Sequence, residues 1–515
     1  MRRILTRALP VILTLVLLLS VAATAAPKVI TVINTSDFHG NLLTGQLDRS
    51  TDPPRPYGGG AIVAAYVAQY RAQNPGGTLV LDGGDMLQGP AISTVFRGKP
   101  TIEMYNVIGY DAAAIGNHEF DWGIDALKAR ASEAKFPFLS ANIFLKATGQ
   151  RPEWAKPYAI FERNGVKVGV IGLTTIQTPF ITLPANVESL EFRDPVAVAN
   201  DLIPAVKAQG AQVIVLLAHI GGSVDKQGVV SDEVAALAAS VRGADLVLGG
   251  HTHNPVVAKV DGVPVLVPYY QGRAVGVTNL TFDPEVGRVV AVESQLVTTY
   301  GDSVQPVGEV QAVIDRYNKD LAPVMAEVLA QAPAEIVRNY DGESALGNLV
   351  ADVMRKTAGV EIAFTNAGGL RTDVPAGPIT LGKVWEIIPF DNTIVTMELT
   401  GSQILEVLAN RTKGMVQLSG LKFTWREIPG NKEKREIVSA TLADGRPLDP
   451  NARYKVCTND FMATGGDNFT AFKSGTSVYN TQILLRDALI NFLKAEAAAG
   501  RAIAPAVEGR ATQVQ

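Results

Sequence analysis

Cysteine is almost absent: Cys457 is the only one in 515 residues, which excludes an intramolecular disulfide and leaves metal binding to nitrogen and oxygen donors. Its neighbours Tyr454-Lys455-Val456 read as a strand, so a buried, inert thiol is expected. An excess of positive charge is also missing. With 46 basic and 50 acidic residues the net charge is −4, which excludes a general nucleic-acid or anionic-membrane surface. Any anionic ligand must therefore be met by a few placed cations. Beyond residue 25, no apolar run is long enough for a membrane span. Histidine is scarce too, with five copies, all in the first half: His39, His118, His219, His251 and His253.

Residues 1–25 read as a secretory signal. Arg2, Arg3 and Arg7 form a basic start, Val11–Val21 an apolar core, and Ala23-Thr24-Ala25 a small-residue cleavage site. An exported protein, periplasmic or secreted, is expected, with no stable membrane anchor after cleavage. The length implies two or more domains, each with its own core.

The histidines are placed as donors. Each follows an apolar run that reads as a strand. Lys28–Asn34 ends in Thr35-Ser36-Asp37-Phe38-His39-Gly40, and Thr78–Leu81 ends in Asp82-Gly83-Gly84-Asp85. Ala112–Ile115 leads into Gly116-Asn117-His118-Glu119-Phe120-Asp121, Val213–Ala218 into His219, and Leu246–Leu248 into Gly249-Gly250-His251-Thr252-His253. Helical spacing between them, as in Ile62–Gln73 and Val196–Gln209, gives an alternating α/β chain. Ligands of open α/β sheets collect just past strand carboxyl ends. Asp37-x-His39 and His251-x-His253 are read as alternating pairs on extended chain, each projecting two side chains to one side. Asn117-His118-Glu119 before Asp121 places an acid near a ligand.

Taken together, Asp37-x-His39, Gly84-Asp85, Gly116-Asn117-His118-Glu119, His219 and Gly250-His251-x-His253 resemble the calcineurin-type metallophosphoesterases. The longer strings TSDFHG, GNHEFDWG and GGHTH are similar to those of the secreted bacterial 5′-nucleotidase and UDP-sugar hydrolase branch. The resemblance implies an α/β fold: a four-layer sandwich of two sheets flanked by helices, followed by a second α/β substrate-binding domain. It implies that two divalent ions (Zn, Mn, Co or Fe) are held, one by Asp37, His39 and His253, the other by Asn117, His219 and His251, with Asp85 bridging. His118 would be the catalytic histidine, oriented by Asp121. Relatives often carry Asn or Gln at the position of His253.

In the second half, Glu309–Gln331 has a helical pattern interrupted by Pro323. It reads as a linker helix over residues 311–333, between a catalytic domain at 26–310 and a nucleotide-binding domain at 334–510. Ser344–Thr357 and Ser402–Asn410 read as helices; Glu361–Thr365, Ile394–Leu399 and Tyr454–Thr458 read as strands. The Gly-rich turn Thr365-Asn366-Ala367-Gly368-Gly369-Leu370-Arg371 can bring backbone donors and a guanidinium to phosphate. Phe390 and Phe461 lie on separate loops and can sandwich a planar base, although by frequency alone buried Phe is core. The resemblance assigns Phe390 and Phe461 to the base, Asn366 and Asp467 to the nucleoside, and Gly368 and Arg371 to phosphate. It also marks a departure, since Tyr340 stands where relatives carry Arg, with Arg338 two residues earlier as the substitute.

The expected activity is that of an exported two-metal phosphohydrolase. It would convert 5′-nucleotides to nucleosides and phosphate by in-line attack of a metal-activated hydroxide. UDP-sugar hydrolysis, or 2′,3′-cyclic nucleotide phosphodiesterase and 3′-nucleotidase activity, is the alternative on the same scaffold. A sulfur-compound thiohydrolase or a non-catalytic binding protein ranks lower. The expected partner is a small nucleotide, not a nucleic-acid polymer, and the chain is expected to act as a monomer or weak oligomer.

Overall fold

The computed structural model describes residues 26–44, 46–48 and 50–514, so the signal reading of residues 1–25 lies outside the described residues. The first half is built on two six-stranded sheets. The strand Val213–His219 shows how they stack. Val213, Val215 and Leu217 project to one face and Ile214, Leu216 and Ala218 to the other, the alternation of a pleated strand. The first set joins Ile30, Val32, Leu79, Leu81, Val168 and Leu246 in a buried layer between the sheets. The second set packs beneath the helices Pro195–Ala208 and Asp232–Ser240. On the far side of the other sheet, Ile33 and Val80 meet the helices Gly60–Gln73 and Lys99–Ile108. The order is helix, sheet, sheet, helix, the four layers expected.

In the first sheet the order is Arg288–Thr298, Ala274–Asp283, Lys28–Thr35, Thr78–Asp82, Ala112–Ala114 and Phe138–Leu139, the last four running parallel. In the second it is Val256–Val260, Val263–Val267, Leu246–Leu248, Val213–His219, Val166–Thr174 and Tyr158–Arg163, with parallel pairing among the middle four. Parallel strands deliver their carboxyl ends to one edge of a sheet. Each donor candidate of the first half sits on or just after such an end.

The helical pattern read over Glu309–Gln331 resolves into two elements. A helix covers Gly308–Met325 and a strand covers Val328–Ala332, paired with Gly377–Thr380. Pro323 lies in the last turn, where its missing N–H and ring discourage continuation. The helix belongs to the first core: Val310 and Ile314 are buried with Ile102 and Tyr105, and Tyr317 donates to Glu103 Oε1 at 2.5 Å.

The second half carries a five-stranded sheet in the order Gln417–Ser419, Ile362–Thr365, Arg453–Asn459, Thr393–Thr400, Thr476–Leu484, with a hydrophobic core on each face. Ser344 Oγ caps the helix Ala345–Ala358 by accepting from the Gly347 N–H at 2.9 Å. Thr400 and Gln403 form a reciprocal capping box on Gly401–Ala409. Cys457, on the strand Arg453–Asn459, is fully buried, and burial pushes its thiol up to about 12. Among the described residues, no helix is long and apolar enough to cross a membrane.

Candidate active site

The extended Asp-x-His and His-x-His segments expected from the sequence are not extended. Asp37 (φ 51°), His39 (φ 48°), Asp85 (φ 56°), His251 (φ 74°) and His253 (φ 58°) all occupy the left-handed region. Asp and His tolerate that region better than most residues, yet each instance costs on the order of 1–3 kcal/mol and persists only where the surroundings enforce it. The enforcement is mutual. The Asp37 N–H donates to the Gly84 carbonyl at 2.9 Å and the His39 N–H to the Asp85 carbonyl at 3.0 Å, so the loops after the strands Lys28–Thr35 and Thr78–Asp82 clamp one another. At Gly116 a Cβ would fall 2.2 Å from Asp85 Oδ1, so only glycine lets the third loop approach.

The side chains converge as two adjoining groups, Asp37 with His39 and His253, and Asp85 with His219 and His251. His39 Nε2 lies 3.0 Å from His253 Nε2, which is 3.5 Å from Asp37 Oδ1. His219 Nε2 lies 3.1 Å from Asp85 Oδ2 and 3.2 Å from Asn117 Oδ1. Asp37, His39, Asp85, Asn117 and His219 are all buried. Carbonyl oxygens only accept, so the Gln88 carbonyl, 2.9 Å from His39 Nδ1, and the Gly83 carbonyl, 2.8 Å from His219 Nδ1, place a proton on each Nδ1. The Nε2 atoms of both rings then point into the cluster, where they are free to donate a lone pair to a cation.

Electrostatics agree with a cation there. Burial opposes ionisation of Asp37 and Asp85, but His253 beside the first and His219 beside the second hold both carboxyls below the usual range. Burial, reinforced by Arg371 and His219 respectively, holds His39 and His251 well below an ordinary histidine. His219 is the exception: burial opposes its charge, but the Asp85 carboxylate raises it to about 10. Ionised carboxylates, neutral imidazoles at His39 and His251 and an absence of sulfur suit a divalent transition metal, which would take the place of the proton that Asp85 holds on His219, so the residues fit the expected cofactor.

His118 sits at the edge of this cluster. Its ring lies 5.1 Å from that of His39 and 5.7 Å from that of Phe390. Its Nδ1 is 2.8 Å from Asp121 Oδ2, which leaves Nε2 for a ligand. A donor atom of His118 also lies within 4.8 Å of those of His39 and Asp85, so proximity alone does not separate it from the ligand set. Glu119 has a part that the sequence reading did not assign. Its carboxylate accepts from the N–H groups of Asp85 at 2.8 Å, Met86 at 2.9 Å and Gly116 at 2.7 Å. It thereby ties the second donor loop to the third. Burial and the neighbouring Asp85 charge push Glu119 up to about 8. Its position inside GNHEFD was visible in the sequence, but its backbone partners were not.

A cleft of about 240 Å³, partly open to solvent, runs from the cluster to the second half. Asn117, His118, Asp121 and His251 line one wall; Asn366, Gly368, Arg371, Phe390, Phe461 and Asp467 line the other. Phe390 and Phe461 are only partly buried, and Phe461 also packs against the core on one face of the second-half sheet. Asn366 Nδ2 donates to Asp467 Oδ2 at 2.8 Å, and burial pushes Asp467 up to about 6. Arg371 Nη2 lies 3.5 Å from His39 Nε2, bridging the two walls. Arg338 is not among the residues lining the cleft. Its Nη1 donates to the Leu370 carbonyl at 3.2 Å, and Tyr340 lines the cleft in its place. Arg486 is a further residue the sequence reading missed. Buried under Trp385, it donates to the carbonyls of Ile388 at 3.3 Å and Phe390 at 3.2 Å and so fixes the Phe390 loop. Nothing in its local sequence marks it.

Residues 324–474 match the family model described as 5′-nucleotidase, C-terminal domain, and residues 87–266 match that of the bacterial capsule synthesis protein PGA_cap. The chain is 29% identical to the 5′-nucleotidase of Homo sapiens, over 93% of this chain and 90% of that one. It is 27% identical to Endonuclease YhcR of Bacillus subtilis over 84% of this chain, spanning 37% of that longer protein. Among solved structures, it matches a 5′-nucleotidase precursor from Thermus thermophilus with a TM-score of 0.83 and 29% identity, over 95% of this chain and all of that one.

Proposed function

The chain belongs to the 5′-nucleotidase family, and on that premise we propose that it is an exported phosphohydrolase that converts 5′-nucleotides to nucleosides and phosphate. The observation that carries the reading is one cleft with a convergent N and O donor cluster beside one wall and two half-buried phenylalanines on the other. Asp37, His39 and His253 would hold one divalent cation and Asn117, His219 and His251 a second, with Asp85 between them. Bound there, divalent cations supply Lewis-acid polarisation of a phosphoryl oxygen and acidify water.

The protein's own groups do the rest. Phe390 and Phe461 hold the base face to face. Asn366 and Asp467 contact the nucleoside, so the phosphate end is directed at the donor cluster. Arg371 and Asn117 meet the charge that develops on the phosphoryl oxygens. His118 is positioned to pass a proton from Nε2 to the departing ribose oxygen, while Asp121 fixes the proton on Nδ1. The low count of surplus cations fits a small anionic substrate caught by Arg371, and argues against a nucleic-acid polymer. The endonuclease named for YhcR belongs to a protein of which this chain covers 37%.

One observation favours a second reading on the same scaffold. A second cleft, of mixed polar and apolar lining, adjoins the first beyond Arg371, with room for a group attached to the far side of the phosphate, as in a UDP-sugar. Hydrolysis of AMP, UMP, UDP-glucose, a 2′,3′-cyclic nucleotide and p-nitrophenyl phosphate, with Mn²⁺, Zn²⁺ or Co²⁺ added, tests both readings when the products are separated: nucleoside and phosphate from a monophosphate, UMP and glucose 1-phosphate from UDP-glucose, a nucleoside monophosphate from the cyclic ester. AMP is expected to lead; no product from any of the nucleotides with any metal would overturn both.

A further inference from the structure

One buried polar side chain has no role in the mechanism above. Gln88 is 2% exposed, and neither its Nε2 nor its Oε1 has a hydrogen-bond partner among the described residues. Its backbone carbonyl accepts from His39 Nδ1 at 2.9 Å, which sets residue 88 directly against the donor cluster. Gln88 lines both the nucleoside cleft and the adjoining second cleft, and the residues common to both are Gln88, Arg371 and Pro389. Gln88 and Arg371 therefore flank the neck between the two clefts, beside His39.

A buried amide with both polar atoms unpaired destabilises a fold relative to an apolar side chain of the same size. The second cleft shows that amides nearby are readily satisfied: Gln46 Nε2 donates to Gln271 Oε1 at 3.0 Å, and Arg273 donates to both side chains. We propose that Gln88 is a phosphate-contacting residue. Its Nε2–H groups donate to an oxygen of the phosphoryl group held between the donor cluster and Arg371, on the flank that faces the second cleft. The inference rests on the phosphohydrolase reading for the identity of the ligand alone.

The test uses the full, Mn²⁺-loaded protein and inorganic phosphate as the probe, with affinity read from the phosphate-dependent rise in Tm. Gln88→Leu removes the amide and keeps the backbone carbonyl that orients His39. It is expected to weaken phosphate binding by about 10- to 100-fold, the worth of a hydrogen bond to a charged partner. Manganese content should stay at the wild-type level, and Tm without phosphate should equal or exceed wild type. Gln88→Glu, of the same shape but negatively charged, should weaken binding further. Unchanged phosphate affinity in Gln88→Leu overturns the proposal and assigns the amide to the fold. So does loss of manganese, which would mean that residue 88 acts through His39. If the wild-type protein hydrolyses no nucleotide, the activity reading fails separately, and the phosphate titration still decides the role of Gln88.

Discussion

The two walls of the cleft are built by opposite strategies. On the first-half wall, Asp37, His39, Asp85 and His219 are at most 3% exposed, and five of the donor candidates sit in left-handed backbone held by the neighbouring loop. On the other wall, Phe390 and Arg371 are partly exposed side chains on loops of a separate sheet, and Phe461 is one on the short helix Asp460–Ala463, not on the loop expected. A wall that spends strain on fixing donor atoms cannot adapt, and the geometry it fixes is the kind that metal binding and charge stabilisation need. A wall of partly exposed rings can accept different ligands at modest cost. Changes in the first should act nearly all or none; changes in the second should be graded and substrate-dependent.

The sharpest break is expected at Asp85. Its Oδ2 faces His219, its Oδ1 accepts from the His118 N–H at 2.8 Å, and its backbone carbonyl holds His39. Asp85→Ala should lose bound metal, as read by elemental analysis, and bring nucleotide turnover to background; EDTA should do the same to the wild type. Turnover that survives chelation would end the metal reading. Next in size is His118→Asn, expected to lower kcat by about 10²–10⁴-fold, the worth of a general acid, with KM and metal content near wild type. Metal lost along with activity would instead place His118 in the ligand set, which its closeness to His39 and Asp85 permits.

How much of each wall was legible in the sequence follows from the same contrast. Asp37, His39, Asp85, Asn117, His118, His219, His251 and His253 could be singled out because metal donors are chemically narrow types, and each followed an apolar run that proved to be a strand. Their backbone could not be foreseen: spacing alone suggested extended pairs, and the left-handed turns arise from bonds between loops far apart in sequence. Glu119 stood inside a recognised string with one N–H partner, Gly116, but its other two, Asp85 and Met86, are tertiary. On the other wall Arg486, nearly a hundred residues from the Phe390 loop it holds, left no local trace. Arg338 lies near Arg371 but does not line the cleft. It was placed by distance along the chain from Tyr340, while its guanidinium turns to the Leu370 carbonyl. The pattern over Glu309–Gln331 carried past Met325 because a short strand that follows a helix offers too few residues to change the apparent period.

A smaller, substrate-dependent effect is expected at the rings. Replacing both Phe390 and Phe461 by Leu keeps them apolar, so a structural role predicts little beyond a modest loss of Tm. Stacking is worth about 1–3 kcal/mol per base by substitution, or roughly 5- to 150-fold. The double variant should therefore lose kcat/KM on AMP by a factor in that range and change little on p-nitrophenyl phosphate. Equal losses on both substrates would erase the contrast between the walls. Arg486→Met should reproduce the AMP-selective loss in weaker form, because it frees the Phe390 loop without removing the ring.

The smallest expected effect is one of stability, at Asp467. Burial raises its folded pKa to about 6 from an ordinary 3.8, so the folded state holds a proton that the unfolded chain has released between those values. Stability therefore falls as pH rises from about 4 to about 6, and the full penalty persists above that. Asp467→Asn keeps an oxygen for the Asn366 amide, 2.8 Å away in the wild type, and cannot ionise. At pH 7.5 it should be more stable than wild type by on the order of 1–3 kcal/mol, and the gap should close as pH is lowered towards 4. The same substitution should raise KM for AMP, because the carboxylate is set against the nucleoside. It should leave p-nitrophenyl phosphate and metal content unchanged. Such a gain in stability at the expense of nucleoside affinity is what a ligand-facing buried carboxylate predicts. A pH-independent difference in Tm would show that Asp467 is solvated in the folded protein, and would remove it from the nucleoside wall.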